Sequence, residues 1–380
     1  MFGPKNGDYT GYLLAAFELC ANCDTMRPAT DKRTEEKTPM KILVIKRDKL
    51  GDMLLTTPML AWLRKVLPDA EIHVLANDYN AWVLAGNSDF DRIWTLPRVK
   101  HAGRVRPGAA LTTLKLFWQL RQEKFDWVLV ANGEESPRAI RRGLWLGGKN
   151  TVSYVQSASS YPKLSHPLPT PLDEHESRRL ARLATAIGLP LPATLPDPLY
   201  VLPEKDALFA RQWLAEQKLQ PGRYIVLGLG ARRAKKQPTT QQVLDWSAAI
   251  AERWGLATVF MWTPGKSDNP LYPGDDEVAE PVLAANSPHI HPFRGPLDQA
   301  LGLIWHARTS IFPDSGLMHF AAASPGGVLG LFADTAKSPP PSQWAPIGPR
   351  AEWVEAPLAV AELPDSLILD RVGILLGPDG

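Results

Sequence analysis

Twice along this chain a short unbroken apolar run is followed by a charged loop containing glycine and then by an amphipathic segment. This repeat limits the possible folds more than any other feature. The first copy reads KILVIK, RDKLGD, MLLTTPMLAWLRKVL from Lys41; the second reads YIVLGLG, ARRAKK and, a few residues on, QQVLDWSAAIAERWG from Tyr224. Continuous apolar strands alternating with amphipathic helices indicate a parallel sheet covered by helices on both faces. EIHVLA, AWVLAGN, RIWTL, the helical LTTLKLFWQLRQEKF and the strand-like DWVLVAN extend the first series, and ATVFMW, LDQALGLIWHAR, TSIFPD, GLMHFAAAS and VLGLF extend the second. Between them GLPLPATLPDPLYVLP carries prolines at 190, 192, 196, 198 and 203, the texture of an extended connector.

The chain has 380 residues, and single cores stop growing near roughly 250–300. We therefore expect an α/β protein of two facing Rossmann-like domains, spanning residues 40–190 and 204–355. A linker at 191–203 joins them, and a C-terminal helix and tail follow at 356–380. Ligands of open parallel sheets bind beyond the carboxyl ends of the strands, so the expected site is the cleft between the two sheets. Residues 1–39 end in the polar, charge-mixed RPATDKRTEEKTP and read as a flexible extension.

Lys and Arg total 42 against 40 Asp and Glu, so no global field favours a nucleic-acid partner and any anion site must be local. Cys20 and Cys23 read as incidental thiols of a reducing compartment, because two thiolates without histidines nearby do not complete a zinc site. The apolar run Tyr12–Phe17 is far shorter than the roughly 20 residues that span a bilayer. The expected location is the cytoplasm, and no amphipathic membrane anchor is evident.

Three loops at strand ends carry the candidate chemistry. In RDKLGD, Gly51 permits a tight turn and Asp52 falls at the start of the following helix, where it can cap amides or serve as a base facing the cleft. In GLGARRAKK, Gly228 and Gly230 precede Arg232, Arg233, Lys235 and Lys236, a loop suited to a diphosphate. It departs from the dinucleotide fingerprint G-x-G-x-x-G, which counts against a dehydrogenase. In PDSGLMHF, Asp314 and Ser315 are helix-capping types, Gly316 leaves the backbone open, and His319 follows one turn later. Arg138, Arg141 and Arg142 follow the strand DWVLVAN and offer a basic wall on the first domain. GDDE at 274–277 reads as a surface turn.

Taken together, VIKRDKLGDMLLTTPML, GARRAKK and PDSGLMHFAAAS…VLGLFADT resemble the heptosyltransferase family of glycosyltransferases, in the right order over about Met40 to Pro349. The resemblance implies the GT-B architecture. It also implies inverting, metal-independent transfer of heptose or a related sugar from an ADP-sugar to a lipopolysaccharide core acceptor, with no cofactor. By position it makes Asp52 the general base. It assigns Gly230, Arg233, Lys235 or Lys236, Asp268, Asp314, Ser315, Gly316 and His319 to the donor, while Arg138, Arg141 and Arg142 suit an anionic lipid-linked acceptor. Such an acceptor implies peripheral contact with the cytoplasmic face of the inner membrane. The loop here reads RDKLGD where the best-known core enzymes have serine or threonine before the glycine-aspartate pair. An inactive nucleotide- or glycan-binding module of the same fold, or a transferase using a different nucleotide sugar, is the alternative.

Overall fold

The computed structural model describes residues 39–97, 100–101, 104–105, 107–230, 233–269, 273–337 and 340–377. The proposed N-terminal extension, apart from Pro39, and both cysteines lie outside the described residues, as does Arg232.

The first half is built from strands β1 (Lys41–Ile45), β2 (Glu71–Asn77), β3 (Arg92–Leu96), the short antiparallel pair β4 (Lys100–His101) and β5 (Arg104–Val105), β6 (Trp127–Val130), β7 (Asn150–Tyr154) and β8 (His166–Leu168). Helices α1 (Leu50–Leu54), α2 (Thr57–Val66), α3 (Pro107–Gln122), α4 (Pro137–Leu146) and α5 (Glu176–Arg182) connect them. The second half contains β9 (Tyr224–Gly228), β10 (Ala257–Met261), β11 (Ile290–Phe293), β12 (Thr309–Pro313), β13 (Val328–Ala333) and β14 (Ala351–Ala356). Its helices are α6 (Glu204–Glu216), α7 (Thr240–Trp254), α8 (Asp276–Ala284), α9 (Leu297–His306), α10 (Gly316–Ala322), α11 (Pro341–Trp344) and α12 (Asp365–Leu376).

Each half forms a six-stranded parallel sheet, in the orders β3-β2-β1-β6-β7-β8 and β11-β10-β9-β12-β13-β14. In both, the first strand of the half lies at the centre and the chain reverses direction beside it. That reversal leaves a crevice at the carboxyl end of β1 and of β9, where the charged glycine loops emerge. Ile42, Leu43 and Val44 of β1 and all of Tyr224–Leu227 of β9 are buried, because helices cover both faces of these strands.

The helix expected over MLLTTPMLAWLRKVL is broken. Its first turns are α1, and Pro58 sits in the opening turn of α2, where its missing N–H costs nothing. The Thr57 hydroxyl donates to Leu54 O at 2.8 Å across the break and accepts Leu199 N–H, also at 2.8 Å, which ties the connector to this point. AWVL forms a single 3₁₀ turn at Ala81–Leu84.

One apolar core runs through both halves. Tyr200 of the proline-rich connector is buried, with its ring 5.0 Å from Phe320, 6.0 Å from Trp305 and 6.4 Å from Trp82, while Trp82 and Phe320 stack at 6.0 Å. The C-terminal helix α12 buries Ile368, Leu369, Val372, Leu375 and Leu376 in the core of the second sheet.

Candidate active site

β1 ends by delivering Lys46, whose side chain is wholly buried, into the crevice. A buried ammonium is tolerable only among counter-charges. Here three carboxylates supply them: Asp48 Oδ2 lies 3.2 Å from Lys46 Nζ, Glu176 Oε1 3.7 Å and Asp52 Oδ1 3.8 Å. Burial alone would lower the lysine, but Asp52, Asp48 and Glu176 outweigh it and hold Lys46 above its usual value. One cation facing three carboxylates leaves an excess of negative charge. Burial raises the Asp52 carboxyl above the usual carboxylate range; Lys46 pulls it back, while Asp48 and Glu176 push it further up.

The capping role considered for Asp52 is not what the structure shows. The residue preceding α1 is Lys49, without a side-chain cap, and Asp52 is the third residue of that helix with its carboxylate turned toward Lys46. Asp48 is fixed by Asn132, whose Nδ2 donates to Oδ2 at 2.7 Å, and by Asn80, whose Nδ2 donates to the Asp48 carbonyl at 3.1 Å.

Gly51 brings this loop against the second half. A Cβ placed on it would stand 3.0 Å from His319 Cδ2 and 3.3 Å from Gly316 Cα. The loop carrying Asp52 and the loop opening α10 are therefore in contact, and each approaches the other through a glycine. Ser315 precedes α10 with extended backbone, and its buried hydroxyl has no hydrogen-bond partner in the structure. His319 is buried, with Nδ1 also unpartnered; burial, with His175 nearby, pulls its imidazole down to about 3, so it is neutral.

The basic loop separates its two lysines. Lys236 ends the 3₁₀ turn Ala234–Lys236, is buried, and its ammonium binds Asp314 Oδ2. Lys235 is exposed, with its ammonium 4.0 Å from Asp334. Arg233 is exposed and donates to Lys337 O at 3.0 Å. Gly230 faces the Ser315 hydroxyl, 3.9 Å from where a Cβ would be.

Asp268 lies in an exposed turn of the loop after β10, and no described contact ties it to the crevice. GDDE is not a surface turn. Asp275 is buried, accepting Thr263 N–H at 2.8 Å and the Gln237 amide, while Asp276 accepts Trp262 Nε1 at 3.1 Å and Gly265 N–H at 2.8 Å. The acidic run thus opens α8 and pins the β10 loop.

Of the three arginines on α4, Arg138 and Arg141 are exposed, whereas Arg142 is half-buried. Burial and the neighbouring Arg47 pull Arg142 down to about 10, against the pull of Asp48. Arg47 is itself held by Asn77 Oδ1, 2.6 Å from its Nε. Arg47 and Arg142 therefore present two guanidiniums beside the carboxylate cluster.

Sequence reasoning missed Lys46, Arg47, Asp48, His175 and Glu176. Glu176 opens α5 and packs on Gly133, where a Cβ would fall 2.0 Å from its Oε2. That same oxygen accepts Gln343 Nε2 at 3.1 Å from α11. His175 donates through Nε2 to Ala345 O at 2.9 Å and accepts Ser177 N–H at Nδ1, capping α5. The ring of Trp344 lies 6.3 Å from that of His319.

A family model described as glycosyltransferase family 9 (heptosyltransferase) matches residues 113–365. No curated protein matches the chain by sequence. Among solved structures, a glycosyl transferase family 9 protein from Veillonella parvula superposes with a TM-score of 0.72 at 16% identity, covering 89% of this chain and 97% of that one. ADP-heptose LPS heptosyltransferase II from E. coli gives a TM-score of 0.64 at 20% identity, covering 89% and 98%. The E. coli heptosyltransferase WaaC, solved with ADP, gives 0.67 at 16% identity, covering 88% and 99%. These likenesses establish the GT-B fold.

Proposed function

Because the chain belongs to glycosyltransferase family 9, the heptosyltransferases, we propose that it transfers a heptose or related sugar from an ADP-sugar to an anionic, lipid-linked core glycan, with inversion and without a metal. One observation carries this reading: the Asp52 loop and the Asp314–His319 loop touch through Gly51 and Gly316, so a single sugar can reach both. Residues 40–190 are assigned to the acceptor and 204–355 to the donor, joined by the connector at 191–203.

In this reading Asp52 accepts the proton of the acceptor hydroxyl as its oxygen attacks the anomeric carbon from the side opposite the diphosphate. The C–O bond to the acceptor forms as the bond to the diphosphate breaks, which inverts the centre. A base placed this way contributes roughly 10²–10⁴-fold. Its raised proton affinity suits the task, since a carboxyl of ordinary acidity takes a hydroxyl proton poorly. Lys236, Arg233 and the amides at Ser315 and Gly316 neutralise the departing ADP, and Asp314, held by Lys236, receives sugar hydroxyls. Arg142 and Arg47 face an acceptor phosphate or carboxylate. Neutral His319 lines the donor side.

The E. coli heptosyltransferase WaaC has been solved with ADP and with ADP-2-deoxy-2-fluoro heptose, which motivates the choice of nucleotide. Among the described residues no helix is long and apolar enough to cross a membrane; we assign the enzyme to the cytoplasmic face of the inner membrane. The test is release of ADP from ADP-heptose in the presence of a lipid A inner-core acceptor. Turnover that disappears in Asp52→Asn supports the reading. Binding of ADP without turnover by the unaltered protein favours the binding-module alternative, and stabilisation by UDP- or GDP-sugars alone refutes the choice of donor.

A further inference from the structure

Helices α3 and α4 lie side by side: the Phe117 and Trp145 rings are 5.1 Å apart, and the Arg121 guanidinium donates to Trp145 O and covers that ring at 5.7 Å. A helix resting on a sheet turns its apolar residues inward, as α3 does with Leu120 and with the half-buried Leu116 and Phe117. Unusually, it also turns apolar residues outward. Leu111 is 72% exposed, Leu114 61% and Trp118 63%, and Trp145 on α4 is 47% exposed. Positions 111, 114 and 118 are spaced to share one side of a helix, so the three form a stripe.

The same exposed side carries Lys115 and Arg121, and α4 adds Arg138 and Arg141; neither helix contains an acidic residue. In a chain whose formal charge is only +2, this is a local segregation of cations around large apolar side chains. The fully buried core of a protein–protein interface is depleted of charge. An apolar stripe interleaved with cations instead suits a surface where hydrocarbon lies just beneath a layer of anions.

We propose that the exposed face of α3 and α4 docks on an anionic phospholipid bilayer. Leu111, Leu114, Trp118 and Trp145 enter the headgroup boundary while Lys115, Arg121, Arg138 and Arg141 meet lipid phosphates. Arg142 of the same helix α4 stands beside Arg47 and Asp48 at the crevice, so the docked face leads directly to the acceptor side. In its purpose this deepens the lipid-linked acceptor reading and rests on it; the docking itself does not.

The test is co-sedimentation of the full chain with vesicles of phosphatidylcholine alone and of phosphatidylcholine containing phosphatidylglycerol. ADP binding, measured in parallel by calorimetry, keeps failure of this proposal distinct from failure of the functional reading. The expected result is binding to the anionic vesicles, weakened by salt. Leu111→Ser with Trp118→Ser reduces it about tenfold, as does Lys115→Glu, with ADP affinity unchanged in each. Equal binding by wild type and both variants overturns the proposal, as does indifference of the wild type to anionic vesicles, which would leave the stripe to a protein partner. Equal binding to both vesicle types overturns the anionic choice.

Discussion

Lys46 Nζ and Asp52 Oδ1 stand 3.8 Å apart, one at the end of the central strand and the other in the first helix, with Asp48 and Glu176 on the same ammonium. Burial raises the proton affinity of the aspartate, and the lysine offsets part of that rise.

Asp52 is raised above its ordinary value of 3.8 and must be ionised to act as a base, so the rate falls as pH drops through a value higher than 3.8. Replacing Lys46 by Met removes the cation that pulls Asp52 down. The expected outcome is an acid limb of kcat/KM displaced to higher pH, read from pH–rate profiles of both proteins. An unmoved limb would assign that limb to another group.

Asp52→Asn keeps the shape of the side chain and removes the base. Transfer is expected to fall by roughly 10²–10⁴-fold. Thermal melting should change little or rise, because a desolvated carboxylate crowded by two others is lost. ADP release and a melting curve on the same preparation check both halves.

Lys236 and Lys235 are neighbours in sequence with different surroundings, one buried on Asp314 and one exposed. Lys236→Ala is expected to weaken ADP binding by about tenfold or more, since a charge-assisted contact to phosphate is worth about 1.5–3 kcal/mol. Lys235→Ala should change it less than about threefold. Calorimetry on the two variants decides between them.

His319 is held at about 3 in the folded protein, against 6.5 when free. Between those values the unfolded chain binds a proton that the folded chain does not. Stability is therefore lost as pH falls from 6.5 toward 3. His319→Asn should flatten that part of the stability curve, measured by urea unfolding at a series of pH values.

Gly133→Ala places a methyl group 2.0 Å from Glu176 Oε2. Something must move, and the expected cost is about 1–3 kcal/mol. Because Glu176 is tied to Gln343, the displacement should also loosen α11, raising amide exchange around residues 341–345.

The architecture was legible because its signal is local. Apolar runs such as KILVI and YIVLG need only their own composition to declare a strand buried on both faces, and the charged loops follow them directly. The resemblance of VIKRDKLGD and PDSGLMHF to one enzyme family implies that the two loops share a cleft. Edge strands such as β11 and β14 escaped notice because few of their residues are fully buried and His291, Pro292, Glu352 and Glu355 interrupt their apolar signal. Glu176 was invisible for another reason: it reaches Lys46 only after the chain has crossed β6, β7 and β8, and nothing in residues 170–180 announces that meeting. Lys235 and Lys236 could not be told apart because one step along a 3₁₀ turn, not any difference in chemistry, decides which ammonium is buried. GDDE misled for a similar reason, since carboxylates that bind their own loop's amides look in sequence like those of any exposed turn.

The connector read as an extended strap, yet Tyr200 is wedged among Trp82, Trp305 and Phe320. A strap so fastened works as a rivet: Trp82 comes from the first half and Trp305 and Phe320 from the second, so the one tyrosine between them clamps both halves to the segment that joins them.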